Sequence, residues 1–388
     1  MSLKLVKVIL ILSLVFMFSS QALASSEQKA ADSINNFAFN AAKLIGKEPG
    51  SYFFSPYSII SAFGMAYAGS NGDTAREIES VLEFDSETHD SIRELIESLD
   101  ETKLITSANR VWLRNGLTLK DAYRNILSVN YGNTVKELDI KNDTEASRKE
   151  INDWVSSKTN DKIQNLLSQL NPSTQMIITN AVYFNAAWEK TFNKDNTTAK
   201  PFHVNDEKII DVQMMMKNSD FRYGEFDGVK VIMLPYKDYR LSMIAVLPPK
   251  DNPDVIDSLN ADTFMNWVES LSDYRVDLWL PKFKTEKKYQ LADLFKALGV
   301  ELAFSNHADF SGITDDEKLK IDAVIHQSFI DVDEEKTEAA AATAIVMVRA
   351  TAMPMPKPKA EFHADRPFIY FIMDSQTGAI LFMGRQTF

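Results

Sequence analysis

His89, His203, His307, His326 and His363 are the side chains of this 388-residue chain best suited to acid–base or metal chemistry, and their spacing supports neither. They are dispersed, with no His-Glu-x-x-His pair to set two imidazoles on one helix face around zinc. A Gly-x-Ser-x-Gly nucleophile elbow, a phosphate-binding loop and a dinucleotide fingerprint are missing from the sequence. So is cysteine, which excludes thiol catalysis, cysteine metal sites and lipid attachment through cysteine. Asp331, Asp333, Glu334 and Glu335 lie close enough to suggest calcium binding or paired acid–base work. They lack the loop glycine and ligand spacing of an EF-hand, so the run reads as a solvated acidic face. The sequence points away from an enzyme: no catalytic residue, metal or cofactor is expected.

The remaining polar residues of interest sit in apolar surroundings. His326 lies in Ala323-Val-Ile-His-Gln-Ser-Phe-Ile-Asp-Val332, a strand-like run, where it reads as a hydrogen-bonded core residue. An unpaired imidazole there would cost roughly 1 to 3 kcal/mol, so it needs buried polar partners. Asn180, inside the β-branched and aromatic run Met176 to Phe184, and Ser55 and Ser58, beside the break at Pro56, are the candidates.

A different kind of function is suggested by Glu334-Glu335-Lys336-Thr337-Glu338-Ala339-Ala340-Ala341-Ala342-Thr343. It continues as Ala344 to Thr351 and stops at Pro354, Pro356 and Pro358. Helix propensity favours an alanine-rich helix from Glu334 to Ala344. Read instead with a period of two, one face holds Thr337, Ala339, Ala341, Thr343, Ile345 and Met347. That face carries no charge before Arg349, so it could enter a sheet interior without burying an unpaired ion, which would cost several kcal/mol. Glu338 falls on the other face and can stay at the solvent side. The prolines bar continuation as helix or central strand and leave an extended, exposed segment.

The elements that must position these residues follow from pattern. Lys4, Lys7, an apolar stretch to Phe18 and Ala22-Leu23-Ala24 form a secretory signal peptide over residues 1–24. The apolar stretch is about half the roughly 20 residues a membrane span needs, so secretion to the extracellular space is expected rather than anchoring. Residues 25–388 show no linker or repeat and read as one large domain. A formal charge of −12, more acidic still once Lys4 and Lys7 are removed, argues against nucleic acid and anionic membrane as partners. Asn142-Asp-Thr144 and Asn196-Thr-Thr198 are glycosylation sequons.

Helical spacing predicts a helix from Ser26 to Ile45 and a buried one from Ser58 to Ala68. A third starts at Asp73 as cap, and a fourth runs from Tyr289 to Leu298 and ends at Gly299. Strands are expected at Met176–Phe184, Val231–Leu234, Leu241–Leu247, Arg275–Leu280, Phe368–Met373 and Ala379–Gly384. Helices dominate early and strands late, which is an α+β pattern.

The run from Glu334 to Thr343 resembles the reactive-centre-loop hinge of the serpins, the serine protease inhibitors. Further segments resemble that family in order: Phe53-Phe-Ser-Pro-Tyr-Ser-Ile59, Thr179-Asn-Ala-Val-Tyr-Phe184 with Trp188, Leu280-Pro-Lys-Phe283, Ala308-Asp-Phe-Ser-Gly312, Asp365-Arg-Pro-Phe368 and Leu381-Phe-Met-Gly384. Each is weak alone; together, in order with the hinge, they are specific. The resemblance implies three β-sheets, about nine helices and an exposed reactive-centre loop over residues 334–360. It implies that Ser55, Ser58, Asn180 and His326 form the shutter beneath the centre of the large sheet, and that Trp188 marks the breach where insertion begins.

It implies a mechanism as well: a protease cleaves the loop and becomes acylated on the bait residue, the hinge inserts as a new central strand, and the tethered protease is distorted. Family spacing puts the bond at Ala350-Thr351, which suits elastase-like or subtilisin-like enzymes; Arg349-Ala350 would suit a trypsin-like pocket. The expected partner is a serine protease, held as a covalent acyl-enzyme by a monomeric inhibitor. A cysteine protease target and a non-inhibitory carrier or chaperone are the other readings. Lys336 departs from the family, whose inhibitory members usually have glycine there, and slower insertion is the expected consequence.

Overall fold

The computed structural model describes residues 26–132, 134–337 and 356–388, apart from the side chains of 255–257, 336 and 337. The expected signal peptide, Glu338 to Thr343 of the expected hinge and the expected bait residues Arg349, Ala350 and Thr351 lie outside the described residues.

The chain starts with α1 (26–45), β1 (Tyr52–Phe54), α2 (Pro56–Tyr67), α3 (Gly72–Leu82) and α4 (Thr88–Asp100). Next come β2 (Ile105–Arg114), α5 (Asp121–Tyr131), β3 (Val135–Leu138), α6 (Thr144–Lys158), β4 (Met176–Phe184) and β5 (Ala186–Ala187). A strand-rich stretch follows: β6 (Thr198–His203), β7 (Ile209–Phe226), β8 (Val229–Pro235), β9 (Leu241–Leu247), α7 (Ala261–Ser270), β10 (Ser272–Pro281) and β11 (Phe283–Gln290). The last elements are α8 (Ala292–Leu298), β12 (Ala323–Val332), β13 (Lys336–Thr337), β14 (Lys359–His363), β15 (Phe368–Asp374) and β16 (Ile380–Gln386).

This is the expected α+β class, with eight α-helices among the described residues. The strands form three sheets: nine strands in the order β1-β16-β15-β9-β8-β7-β10-β14 with β6 added to β7, five in the order β11-β12-β4-β2-β3, and the two-stranded pair β13-β5.

Local chemistry explains the helix that supports the site. Pro56 at the first position of α2 has no N–H to leave unsatisfied, and Ser55 caps the helix by accepting from the Ser58 N–H at 3.1 Å. Nearly every residue of α2 is buried, because it packs beneath the inner face of the five-stranded sheet. On the outer face, α6 covers Trp112, Ile177, Ala181 and Ile325 with Ile151 and Val155.

Several expected boundaries move, among them the start of the helix expected from Ser58, which is Pro56. Asn71 is the cap of α3 and Asp73 lies in its first turn, where its charge suits the positive helix end. The helix expected from Tyr289 begins at Ala292, because Phe283–Gln290 pairs along its whole length with β12. It does end at Gly299, whose φ of +112° terminates the helix without the cost of a Cβ. Residues 356–358 are exposed and irregular, as the prolines suggest, and β14 is an edge strand of the nine-stranded sheet.

Candidate functional site: a seam between two parallel strands

In the middle of the five-stranded sheet, β12 and β4 run parallel from Ala323 opposite Ile177 to Phe329 opposite Tyr183. Their outer neighbours, β11 and β2, pair with them antiparallel. Parallel pairing is the slightly weaker kind, and here it joins two strands that lie far apart in sequence. The ladder stops at Phe329 and Tyr183. Above it the chain turns through Asp333, Glu334 and Glu335, and the backbone of Lys336 and Thr337 runs back antiparallel to Ala187 and Ala186 of β5.

Beneath the seam, on the inner face, Ser55, Ser58, Asn180 and His326 meet in one hydrogen-bonded network, all of them fully buried. His326 and Asn180 are register partners across the seam. The Ser55 backbone N–H donates to His326 Nε2 at 3.1 Å. Nε2 therefore carries no proton, and Nδ1–H donates to the Asn180 carbonyl oxygen. The Asn180 amide donates in turn to the Ser58 carbonyl at 2.8 Å and to Asn109 Oδ1. Ser58 Oγ lies 3.1 Å from Ser107 Oγ, and Ser55 Oγ donates to the Leu381 carbonyl at 2.6 Å. Burial pushes the His326 pKa down to about 3. Protonation would put an N–H at Nε2 facing another N–H, so the neutral ring is part of the network's geometry.

Roughly 26 Å up the strand from Asn180, taken at about 3.3 Å per residue, Trp188 holds the turn that leads to the hinge. Its indole N–H donates to the Asp333 carbonyl at 2.8 Å and its backbone N–H to the Glu335 carbonyl at 3.3 Å. The Phe192 N–H donates to the Glu334 carbonyl at 2.7 Å. The Trp188 ring stacks on Tyr236 at 4.6 Å.

The sequence reading of Glu334 and Glu335 as a solvated acidic face needs correction. Glu334 is 4% exposed and its carboxylate meets Lys282 Nζ at 2.7 Å, while Glu335 pairs with Lys194 at 2.6 Å. Burial pushes the Glu334 carboxyl up, but Lys282 and a backbone N–H outweigh it and hold the group below its usual range. Lys282, Lys194 and Tyr236 were not legible as site residues, because they lie far from the hinge in sequence. Asn109 and Ser107 had a signal: they are polar at alternate positions of β2, on the face that turns inward.

A family model described as Serpin (serine protease inhibitor) matches residues 32–387. An uncharacterized serpin-like protein of Thermococcus kodakarensis is 38% identical, over 92% of this chain and 85% of its own length. Serpin B3 of Homo sapiens is 35% identical, over 86% of this chain and 92% of its own length. Among solved structures, maspin superimposes with a TM-score of 0.85 at 26% identity, covering 94% of this chain and 99% of that one.

Proposed function

The chain belongs to the serpin family, and we propose that it inhibits a serine protease as a suicide substrate. Protease inhibition is the general business of the family; the class of protease, the loop bond and the insertion step are our reading. The observation that carries it is the pairing of Lys336 and Thr337 with Ala187 and Ala186, antiparallel and directly above the central parallel pair. A third strand entering there in the same direction would replace one parallel pairing by two antiparallel ones.

The register that Lys336 and Thr337 keep, continued downward, assigns the inserted strand a fit. Ala340 would arrive opposite Tyr183 and Thr343 opposite Asn180. Alternation then turns Thr337, Ala339, Ala341, Thr343, Ile345 and Met347 inward, with the Thr343 hydroxyl at the level of the His326–Asn180 bond. This is the uncharged face of the sequence, and it would replace a buried hydrogen bond with a residue able to make one.

In the reaction the protease nucleophile attacks the Ala350 carbonyl, the Ala350-Thr351 bond breaks, and Thr351 leaves with its new amine. The acyl ester then stays on Ala350 while the hinge inserts. An elastase-like or subtilisin-like target fits Ala350; a trypsin-like one would cut at Arg349-Ala350. We propose further that residues 1–24 direct secretion and that the mature chain acts as a monomer. Lys336, in place of the usual glycine, favours the second reading, a non-inhibitory carrier or chaperone.

One experiment separates these. The chain is incubated with elastase-like, subtilisin-like and trypsin-like proteases, and the products are followed by denaturing gel and mass spectrometry. A denaturant-stable adduct is expected, with a released peptide that starts at Thr351. Cleavage without adduct by every protease refutes inhibition.

A further inference from the structure

The outer face of the seam carries a second closure that does not belong to the polar network beneath it. Tyr183 and Phe329 are the last residues of the parallel ladder and point away from the inner core. Even so, they are only 3% and 4% exposed. Their ring centroids lie 5.9 Å apart, so they touch across the seam. Two cations cover them. Lys162, from the segment that follows α6, sets its Nζ 5.8 Å from the Tyr183 ring and 5.9 Å from the Phe329 ring. Lys284, from β11 on the other side, sets its Nζ 4.8 Å from the Phe329 ring. Lys284 is exposed and Lys162 half-buried, so both ammonium groups meet the rings at the surface of the sheet.

From this arrangement we infer that Lys162 and Lys284 clamp Tyr183 against Phe329 and thereby set how fast the sheet opens to an incoming strand. This rests on the insertion reading above. The position is the first that a strand would meet below Lys336 and Thr337, and Ala340, its residue at that level, is small enough to pass between two aromatic rings. The clamp ties three elements to the seam: β11 through Lys284, the segment after α6 through Lys162, and β4 to β12 through the rings. Opening the seam separates the rings and breaks their shared contact with Lys162, whereas Lys284 can follow Phe329. Lys162 and Lys284 are positioning residues; neither touches a protease.

The test uses the intact chain and a synthetic peptide of its own residues 334–347, with no protease present. Incorporation of the peptide into the sheet is timed by native gel and Trp fluorescence. The variants are the pair Lys162→Met with Lys284→Met, which keeps the stems and removes the charges, and the pair Lys162→Arg with Lys284→Arg, which keeps the charges. The expected result is acceleration of about five-fold for the methionine pair and an unchanged rate for the arginine pair, since a cation over an aromatic ring at a partly exposed site is worth about 0.5 to 1 kcal/mol. The melting temperature of the intact form should fall further in the methionine pair than that of the loop-cleaved form, which keeps the Lys284–Phe329 contact but has already lost the one the two rings share with Lys162.

A wild-type chain that takes up peptide, with a methionine pair that takes it up at the same rate, overturns the clamp and leaves the insertion reading standing. So does an arginine pair as fast as the methionine pair, or an equal loss of stability in intact and cleaved forms. A wild-type chain that never takes up peptide overturns the insertion reading, and the clamp with it.

Discussion

Acidification should loosen the seam through His326. The imidazole is buried, its pKa is lowered from 6.5 to about 3, and its Nε2 accepts from the Ser55 N–H. In the unfolded chain the same ring titrates at about 6.5. Above that pH both states are neutral and the full stabilisation is present. Between 6.5 and 3 the unfolded chain takes up a proton that the folded one refuses, so stability falls as pH falls, by about 1.4 kcal/mol per unit. At about pH 4.5 the loss reaches roughly 2.7 kcal/mol, a large part of the 5 to 15 kcal/mol that holds a typical domain folded. Other groups titrate in the same range, including His89, whose burial also lowers its pKa. The measurement is therefore a difference: urea unfolding of the intact wild type and of His326→Gln, each at about pH 7 and about pH 4.5. The gap between them should shrink by roughly 2.7 kcal/mol on acidification. A gap that stays constant would refute the assignment of a neutral, proton-refusing His326 to the native network.

The other perturbations follow from geometry. Thr337→Arg would put a charge at the first inward position of the inserting strand, and the number of inhibitor molecules consumed per protease should rise several-fold as cleavage outpaces insertion; an unchanged stoichiometry would sink the insertion mechanism. Lys282→Met strands the buried Glu334 carboxylate, and the intact form should lose about 1 to 3 kcal/mol in urea unfolding, with its carboxyl pKa moving up. Gly312→Ala would place a Cβ 2.7 Å from the Gly69 carbonyl oxygen, a backbone atom that cannot swing aside, and should cost about 1 to 3 kcal/mol in thermal unfolding; a variant as stable as wild type would show that this close approach can relax.

What could be read in the sequence, and what could not, divides along physical lines. β4 was legible because all nine of its residues are buried, so the run Met176 to Phe184 has no polar face to confuse the pattern. His326 and Asn180 stood out as polar residues in strands that are mostly apolar and buried. β11 was missed because an edge strand need not look like one: Lys284, Glu286, Lys288 and Gln290 are exposed, and its last two residues, from Tyr289, were read into the helix that follows. Glu334 was misread because a carboxylate is buried only with a partner, and Lys282 is 52 residues away in the chain.

Lys336 raises the sharpest question about mechanism, and the backbone supplies part of an answer. Glycine matters at a hinge where φ must be positive, since other residues pay for that conformation. Lys336 lies in a strand pair with Ala187, and an extended backbone is open to any residue. In the intact chain, therefore, this position makes no demand that lysine cannot meet. On the insertion reading, the resistance would instead be met lower down, where Tyr183 touches Phe329 on one face and His326 bonds Asn180 on the other. If that is the barrier, Lys336→Gly should leave the rate of peptide uptake within about two-fold of wild type, whereas the variants that free the rings or the imidazole should raise it. A large acceleration by Lys336→Gly would move the barrier to the hinge itself and return the departure from the family pattern to the centre of the argument.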